Sequence, residues 1–193
     1  MISINLSEIG TEKTRKFLQL VGDAPEGAEI RNLVGFDIAN VTRDWLYDKD
    51  KEPNTLGGKK THFYRSAGDA VTHEVTKTGA AVSINQQGIR QRLEGGVITA
   101  KNAKALTIPI SPRAHGKRAR EFDNTFILKS TKGKPETVGV IMQDLGSGQL
   151  DALYVLRTRV TQKPDPTVIP DDRTIVETAY LSIFRFLEGL RAF

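Results

Sequence analysis

The sequence contains no cysteine among its 193 residues. A chain without cysteine forms no disulfide, offers no thiolate nucleophile and builds no cysteine-ligated metal site. It also has no apolar run of the length that a membrane-spanning helix needs. Its first residues, Met1–Leu6, alternate like a strand or extended arm and lack the basic and apolar regions of a secretory signal. We therefore expect a protein made in the cytoplasm that has no membrane partner.

Aromatic residues make up only 7% of the chain, and Trp45 is the only tryptophan. No aromatic residue lies between Gly88 and Glu121, in the most basic part of the sequence. Proteins that bind single-stranded nucleic acid stack its bases on aromatic side chains, and this stretch has no such platform. Helix-turn-helix and zinc-finger patterns are also missing from the sequence. If DNA touches the basic stretch, we expect non-specific contacts with phosphates.

Signatures of catalysis and of metal binding are missing too. Gly57–Thr61 reads GGKKT, but a phosphate-binding loop needs glycine where Pro53 stands. Gly146–Gly148 reads as a hairpin turn, because it lacks the spacing of a nucleophile elbow. The three histidines do not have the spacing of standard metal ligands. We expect the protein not to be an enzyme and to hold no cofactor and no metal.

The remaining composition is that of a soluble globular protein. Apolar residues make up 38% and charged residues 26% of the chain, and its length suits a single domain spanning residues 1–193. The net charge is +5 and the isoelectric point about 9.5. A basic surface favours acidic partners, such as nucleic acid or an acidic protein.

The segment Gly88–Phe122, called the basic stretch below, has the most one-sided charge of any part of the sequence. After one amphipathic helical turn, Gly95-Gly96 provides the left-handed conformations that end a helix. Val97–Thr99 and Ala105–Ile110 then read as two strands, which we predict to pair as a long basic hairpin with lysines flanking its turn. Pro109 has no N–H to donate, so the second strand should lie at a sheet edge or end there.

We expect three polar elements to make contacts with other molecules: the hairpin at 97–110 and the loops 48–60 and 111–120. Ten basic side chains are the candidates for subunit contact, partner contact or the lining of a DNA channel: Lys59, Lys60, Arg90, Arg92, Lys101, Lys104, Arg113, Lys117, Arg118 and Arg120.

Helices are predicted at both ends of the chain. An N-terminal arm and short helix occupy residues 1–22, and a longer helix runs from Glu26 to Asp48. Its apolar stripe comprises Ile30, Val34, Ile38, Val41 and Trp45, with Trp45 as a core anchor. Asp171 or Asp172 caps the last helix. The last helix carries an unusually wide apolar stripe, which lies wholly in the core or partly against another subunit.

The middle of the chain is predicted to form antiparallel strands. They cover 72–78, 80–85, 126–128, 138–143 and 150–161. In the last of them Arg157 and Arg159 share a face, which points to solvent or to a neighbouring subunit. The expected fold class is therefore α+β, with N-terminal helices, a mostly antiparallel sheet with a long basic hairpin, and a C-terminal helix packed on the sheet.

The stretch GIRQRLEGGVITAKNAKALTIPI (88–110) resembles a segment of the virion-morphogenesis, or tail-completion, proteins of long-tailed phages. TLGGKKTHFY (55–64) and DPTVIPDD (165–172) extend the resemblance in the expected order. The chain departs from the family pattern at Pro53-Asn54, where a tryptophan-proline element is usual.

The resemblance implies a structural protein of the phage virion, at the head–tail neck or upper tail. Its partners would be copies of itself in a ring, expected to be hexameric, together with portal or connector-adaptor proteins and tail tube or terminator proteins. Genomic DNA would pass through the ring without sequence recognition. The alternative is a nucleic-acid-binding accessory protein that acts through the basic 90–120 stretch.

Overall fold

The structure is a computed structural model, and it describes residues 2–5, 27–54, 56–130 and 135–191. Helices and antiparallel sheets confirm the α+β class. The backbone divides into two compact units. The first unit comprises the described parts of 1–51, 63–94 and 164–193, and the second those of 52–62 and 95–163. That the chain forms one domain stays a prediction, and each unit is described by itself.

The first unit packs helices on a three-stranded sheet. Its helices are α1 (Gly27–Lys51), α2 (Phe63–Asp69), α3 (Ile89–Glu94) and α4 (Asp172–Arg191). Its strands are β1 (Ile2–Asn5), β2 (Val71–Val75) and β3 (Ala80–Ile84), antiparallel in the order β1-β3-β2. The hairpin of β2 and β3 confirms the sequence prediction, whereas the short helix expected before residue 22 lies outside the described residues.

The core of the first unit corrects the predicted stripe of α1. Ile30, Val34 and Ile38 are buried as expected, but the stripe continues through Thr42 and Leu46 and not through Val41 and Trp45. A period of 3.6 residues allows either a three- or a four-residue step at each turn, and the pattern alone does not choose between them. Trp45 is half-buried, and its indole nitrogen donates to the main-chain oxygen of Thr167 at 3.0 Å.

The C-terminal helix α4 begins at a cap and lies along α1. The Asp171 carboxylate accepts a hydrogen bond from the Thr174 main-chain N–H at 2.9 Å, as an N-cap does. Ile175, Ala179 and Ile183 are buried and join the same core as the inward residues of β3. Helix α4 thus closes the core over α1.

The second unit is built from strands. They are β4 (Gly96–Thr99), β5 (Leu106–Pro109), β6 (Thr125–Lys129), β7 (Thr137–Asp144), β8 (Leu150–Arg157) and β9 (Arg159–Gln162). Four of them form an antiparallel sheet in the order β5-β8-β7-β6, and β4 pairs with β9. A small core gathers Ala114, Ile141, Leu153, Tyr154 and Leu156.

The predicted basic hairpin is wrong. Both of its strands run antiparallel to the chain segment 150–162, one after the other: Thr99 lies opposite Arg159, and Leu106 lies opposite Arg157. One residue, Thr158, therefore faces the six residues 100–105, which loop out between β4 and β5. Short loops usually join paired strands, but here β4 and β5 pair with β9 and β8, which lie 45 to 66 residues further along the chain.

The edge position predicted for Pro109 is confirmed, because β5 is an outer strand of the sheet. The N–H of Ile110 donates to the Leu153 carbonyl at 2.9 Å. The main-chain N–H and C=O groups of the even-numbered residues of β5 therefore point towards β8, and those of the odd-numbered residues point away from it. Pro109 therefore stands where an N–H would point outwards, and the sheet loses no hydrogen bond.

Candidate contact surfaces

The ten basic candidates are divided between the two units. Arg90 and Arg92 lie on α3 in the first unit, and the other eight lie in the second unit. The Arg90 Nε donates to both carboxylate oxygens of Glu94, at 3.0 and 2.9 Å. The Arg92 guanidinium lies 4.7 Å from the centre of the Phe63 ring, within the range of a cation–π contact. Both arginines thus stabilise the first unit locally.

In the second unit the structure brings two of the predicted contact elements together. A Cβ added to Gly58 would stand 2.6 Å from the Pro112 carbonyl oxygen and 2.7 Å from the His115 Cβ, so the two loops touch at this glycine. The His115 Nδ1 lies 2.9 Å from the Lys59 carbonyl oxygen and 2.8 Å from the Asn54 Nδ2. Lys59 and Lys60 therefore adjoin the basic loop 111–120, although more than fifty residues separate them in sequence.

The basic loop is fastened to the sheet beneath it. Ser111 caps a short 3-10 helix, Pro112–Ala114. The buried Tyr154 hydroxyl lies 3.2 Å from the Ala114 carbonyl oxygen and 3.0 Å from the Lys117 carbonyl oxygen, and it donates its proton to them. Burial, and next the negative charge of Glu121, raise the pKa of Tyr154, so this phenol keeps its proton. The loop 111–120 is therefore held in place by the sheet, and it is called the platform below.

Several basic side chains on this platform are already engaged. The Arg113 guanidinium donates to the Asp151 carboxylate at 2.8 Å and to the Gln143 side-chain oxygen at 3.1 Å. The Lys117 ammonium lies 5.3 Å from the centre of the Phe122 ring. Arg118 and Arg120 are exposed. These two, with Lys59 and with Lys117, which stays exposed beside the Phe122 ring, are the charges that the platform offers to a partner.

Lys101 and Lys104 lie in the looped-out segment 100–105 and are exposed. Next to it, Arg159 forms an ion pair with Glu136 at 2.8 Å. That ion pair gives Arg159 a partner inside its own unit. It therefore favours a strand arginine at the solvent-exposed surface over one that contacts a neighbouring subunit. The two loop lysines, by contrast, are exposed charges on the segment between β4 and β5.

Sequence reasoning missed an exposed apolar surface, which is strand β6. All five of its residues are exposed, with Phe126 at 42%, Ile127 at 57% and Leu128 at 58%. Neighbouring residues of a strand point to opposite faces, so β6 is uncovered on both. It is also the outer strand of its sheet. The signal in the sequence was the Phe-Ile-Leu run, which alone is typical of a buried strand.

A second apolar surface lies on α4. Tyr180, Leu181, Phe184 and Leu187 are 36–58% exposed and fall at helical spacing on one face. The wide stripe predicted for this helix is therefore only partly core. Its exposed part is available to another subunit, which is one of the two alternatives that the sequence left open.

A groove of about 270 Å³ runs between α1 and α4. Asp37, Asp44 and Arg185 contribute charges to its lining, and the Ser182 hydroxyl donates to the Asp37 carboxylate. Among the residues that the structure describes, no three acidic or histidine side chains converge on a possible metal position. Over the same ranges no helix combines the length and apolar character needed to cross a bilayer.

Comparisons of the chain with models of protein families, with curated proteins and with solved structures find no match.

Proposed function

We propose that this protein is a structural subunit of a phage virion, which assembles as a homo-oligomeric ring at the head–tail neck or upper tail. The observation that carries the proposal is the pair of uncovered apolar surfaces, strand β6 in the second unit and the α4 stripe in the first. Contiguous apolar surface of this kind marks sites of association. The phage assignment draws on the sequence resemblance of segments 55–64, 88–110 and 165–172.

The α4 stripe suits a contact around a ring and leaves strand β6 for a different contact. A ring uses heterologous contacts, in which one face of a subunit meets a different face of the next. A helix stripe and a sheet edge are chemically different surfaces on one chain, so they need not compete for the same partner. We assign the α4 stripe to the contact around the ring.

The basic side chains fit a second task in the same assembly. Lys101 and Lys104 stand on the looped-out segment, and Lys59, Lys117, Arg118 and Arg120 stand on or beside the platform 111–120. Lysine and arginine attract phosphates without reading sequence. In a ring they would face either the passing DNA or an acidic neighbouring protein.

The test begins with the mass of the purified protein by light scattering, alone and mixed with phage heads or tails. A ring, or a monomer that joins heads or tails, supports the proposal. The double variant Leu181→Asp, Phe184→Asp should keep the thermal midpoint, because both side chains are exposed, yet should not assemble. Lys77→Glu, an exposed charge change in the turn between β2 and β3 of the same unit, should assemble like the wild type.

A different outcome of the same experiment would favour the nucleic-acid-binding alternative. A monomer that ignores heads and tails but binds DNA, with an affinity that falls steeply with salt, would make the protein a nucleic-acid-binding accessory protein. In that case charge reversal at Lys117, Arg118 and Arg120 should abolish DNA binding while shifting the free energy of unfolding by no more than about 0.5 kcal/mol.

A further inference from the structure

The two edges of the four-stranded sheet are built in opposite ways. At the β5 edge, Pro109 removes an outward N–H, and the segment 100–105 with its lysines loops out just before the strand. Proline, lysine and bulges are the devices that keep a sheet edge from pairing with another chain. The β6 edge has no proline and no bulge, and its only lysine, Lys129, stands at its last position. Within the described ranges no strand pairs with its outer side.

The register of β6 shows which backbone groups are open. The Ser130 N–H donates to the Val138 carbonyl at 3.1 Å, and the Asp144 N–H donates to the Asn124 carbonyl at 3.0 Å. Even-numbered residues of β6 therefore bond to β7. The N–H and C=O groups of Thr125, Ile127 and Lys129 point away from the sheet and form a row of three donors and three acceptors.

We infer that this row pairs with β6 of a second copy of the chain, antiparallel about a two-fold axis at Ile127. In that register Ile127 lies opposite Ile127 of the second copy, and Thr125 lies opposite Lys129. All three outward-facing residues then stand in hydrogen-bonded pairs, because odd positions meet odd positions. Phe126 lies opposite Leu128 of the second copy, so the apolar side chains also meet.

Charge is compatible with the same register, and the build of the two edges supports the choice of a second copy. Lys129 lies opposite the neutral Thr125, which avoids a clash of like charges. The blocked β5 edge, by contrast, is a poor partner for β6, which leaves β6 itself as its complement.

This contact goes beyond the proposed ring, because a two-fold contact is isologous and a ring contact is heterologous. In a ring it would join subunits of two stacked rings. It would form a dimer by itself if no ring forms.

The first test uses the absence of cysteine. Cysteine at position 127 can form a disulfide only with a second copy. Opposed Cα atoms in a hydrogen-bonded pair stand about 5.5 Å apart, within the disulfide range of about 4.4–6.8 Å. The control is Leu128→Cys, matched in exposure at 58% against 57%. Its two copies would stand roughly 8 Å apart, beyond disulfide reach.

We expect Ile127→Cys, under mild oxidation, to convert to a covalent dimer of twice 21.3 kDa while Leu128→Cys stays monomeric on the same gel. Equal cross-linking of the two variants would overturn the register. No cross-linking of either, with a monomer mass in solution, would overturn the pairing and leave this chain's own residues 6–26 or another protein as the cover of β6.

The second test exchanges charges across the proposed two-fold axis. Thr125→Lys places lysine opposite lysine in both halves, so the dimer mass should be lost. Adding Lys129→Glu places glutamate opposite lysine and should restore it. If the double variant stays monomeric, the register is wrong. The ring contact is tested separately, with the α4 variants. The two experiments can therefore show that one of the two contacts forms and that the other does not.

Discussion

The buried phenol of Tyr154 and the main chain of the exposed Lys117 are joined by a hydrogen bond of 3.0 Å. The same hydroxyl lies 3.2 Å from the carbonyl oxygen of Ala114. Tyr154 belongs to β8, in the core of the second unit. One core side chain therefore holds the main chain of the basic platform at two points, and the position of the surface charges depends on a group inside the fold.

Tyr154→Phe should therefore loosen the platform without emptying the core. The ring still fills its site, but the two carbonyl oxygens lose their donor, and we expect unfolding to become easier by about 1 kcal/mol. Denaturant unfolding gives this number. Hydrogen exchange should rise in 112–121 and stay unchanged in β2 and β3 of the first unit. Unchanged exchange in 112–121 would mean that the hydroxyl does not hold the loop.

Gly139→Ala tests how closely β6 lies against β7. A Cβ at Gly139 would stand 2.6 Å from the Leu128 carbonyl oxygen, and backbone cannot yield as a flexible side chain does. We expect a loss of about 1–3 kcal/mol in the free energy of unfolding, with faster exchange in β6. Gly79→Ala is the control, because a Cβ there meets nothing nearer than 4.0 Å. Equal losses in both variants would contradict the close approach at β6.

The looped-out segment can be removed without disturbing the pairing on either side. Deleting residues 101–105 leaves only Ala100 between Thr99 and Leu106, opposite Thr158, so β4 and β5 become one continuous strand. We expect a folded protein with a thermal midpoint at or above that of the wild type, since a shorter loop costs less entropy to close. A large loss of stability would show that the segment supports the fold.

The same deletion should block assembly if the loop makes a partner contact. The variant Lys101→Gln, Lys104→Gln keeps the loop and removes only its charges. Loss of assembly in both variants would assign the contact to the lysines, and loss in the deletion alone would assign it to the loop backbone. If the deletion variant still joins heads to tails, segment 100–105 is not a contact element.

Asp165 makes the first unit sensitive to acid. Its carboxylate accepts hydrogen bonds from the side chain and main chain of Thr167, at 2.6 and 3.0 Å. These bonds, the side-chain one foremost, lower the pKa of Asp165 from its ordinary 3.8. Below pH 3.8 the unfolded chain therefore takes up this proton before the folded chain does. The free energy of unfolding should fall as the pH drops through that window.

The measurement is denaturant unfolding of the wild type and of Asp165→Asn at several pH values from neutral to about 2, around the ordinary carboxyl pKa. Asparagine keeps an acceptor for the Thr167 N–H but takes up no proton. We expect a shallower loss of stability with acid in the variant. The variant should still lose some stability with acid, because hydrogen bonds from Thr174 lower the pKa of Asp171 in the same way. Identical slopes in the two proteins would exclude Asp165 as a source of the acid sensitivity.

Local rules predicted much of this fold. The turn of α3, the left-handed glycines Gly95 and Gly96 with φ of 70° and 120°, and Pro109 at an edge all follow from what single residues allow. The hairpin failed for a different reason. A short polar segment between two strands looks the same whether the strands pair with each other or with a third, distant strand, and only the register with β8 and β9 decides.

The candidate surfaces divide in the same way. Charge can be read from sequence, so the exposed lysines and arginines were predicted as candidates. The ion pair of Arg113 with Asp151 was not predicted, because the two residues are 38 positions apart. Exposure of Phe126, Ile127 and Leu128 depends on whether any other element covers β6. No local pattern records that, and an uncovered apolar strand has the same composition as a buried one.

The six residues opposite Thr158 also make this edge unusually tolerant of length. Each half of the strand is anchored by its own pairs, Thr99 with Arg159 and Leu106 with Arg157, so the register on either side is independent of what lies between them. A peptide epitope spliced between Asn102 and Ala103 would leave both halves in place. The chain therefore offers a natural insertion point for a label that reports where this edge lies in an assembled particle.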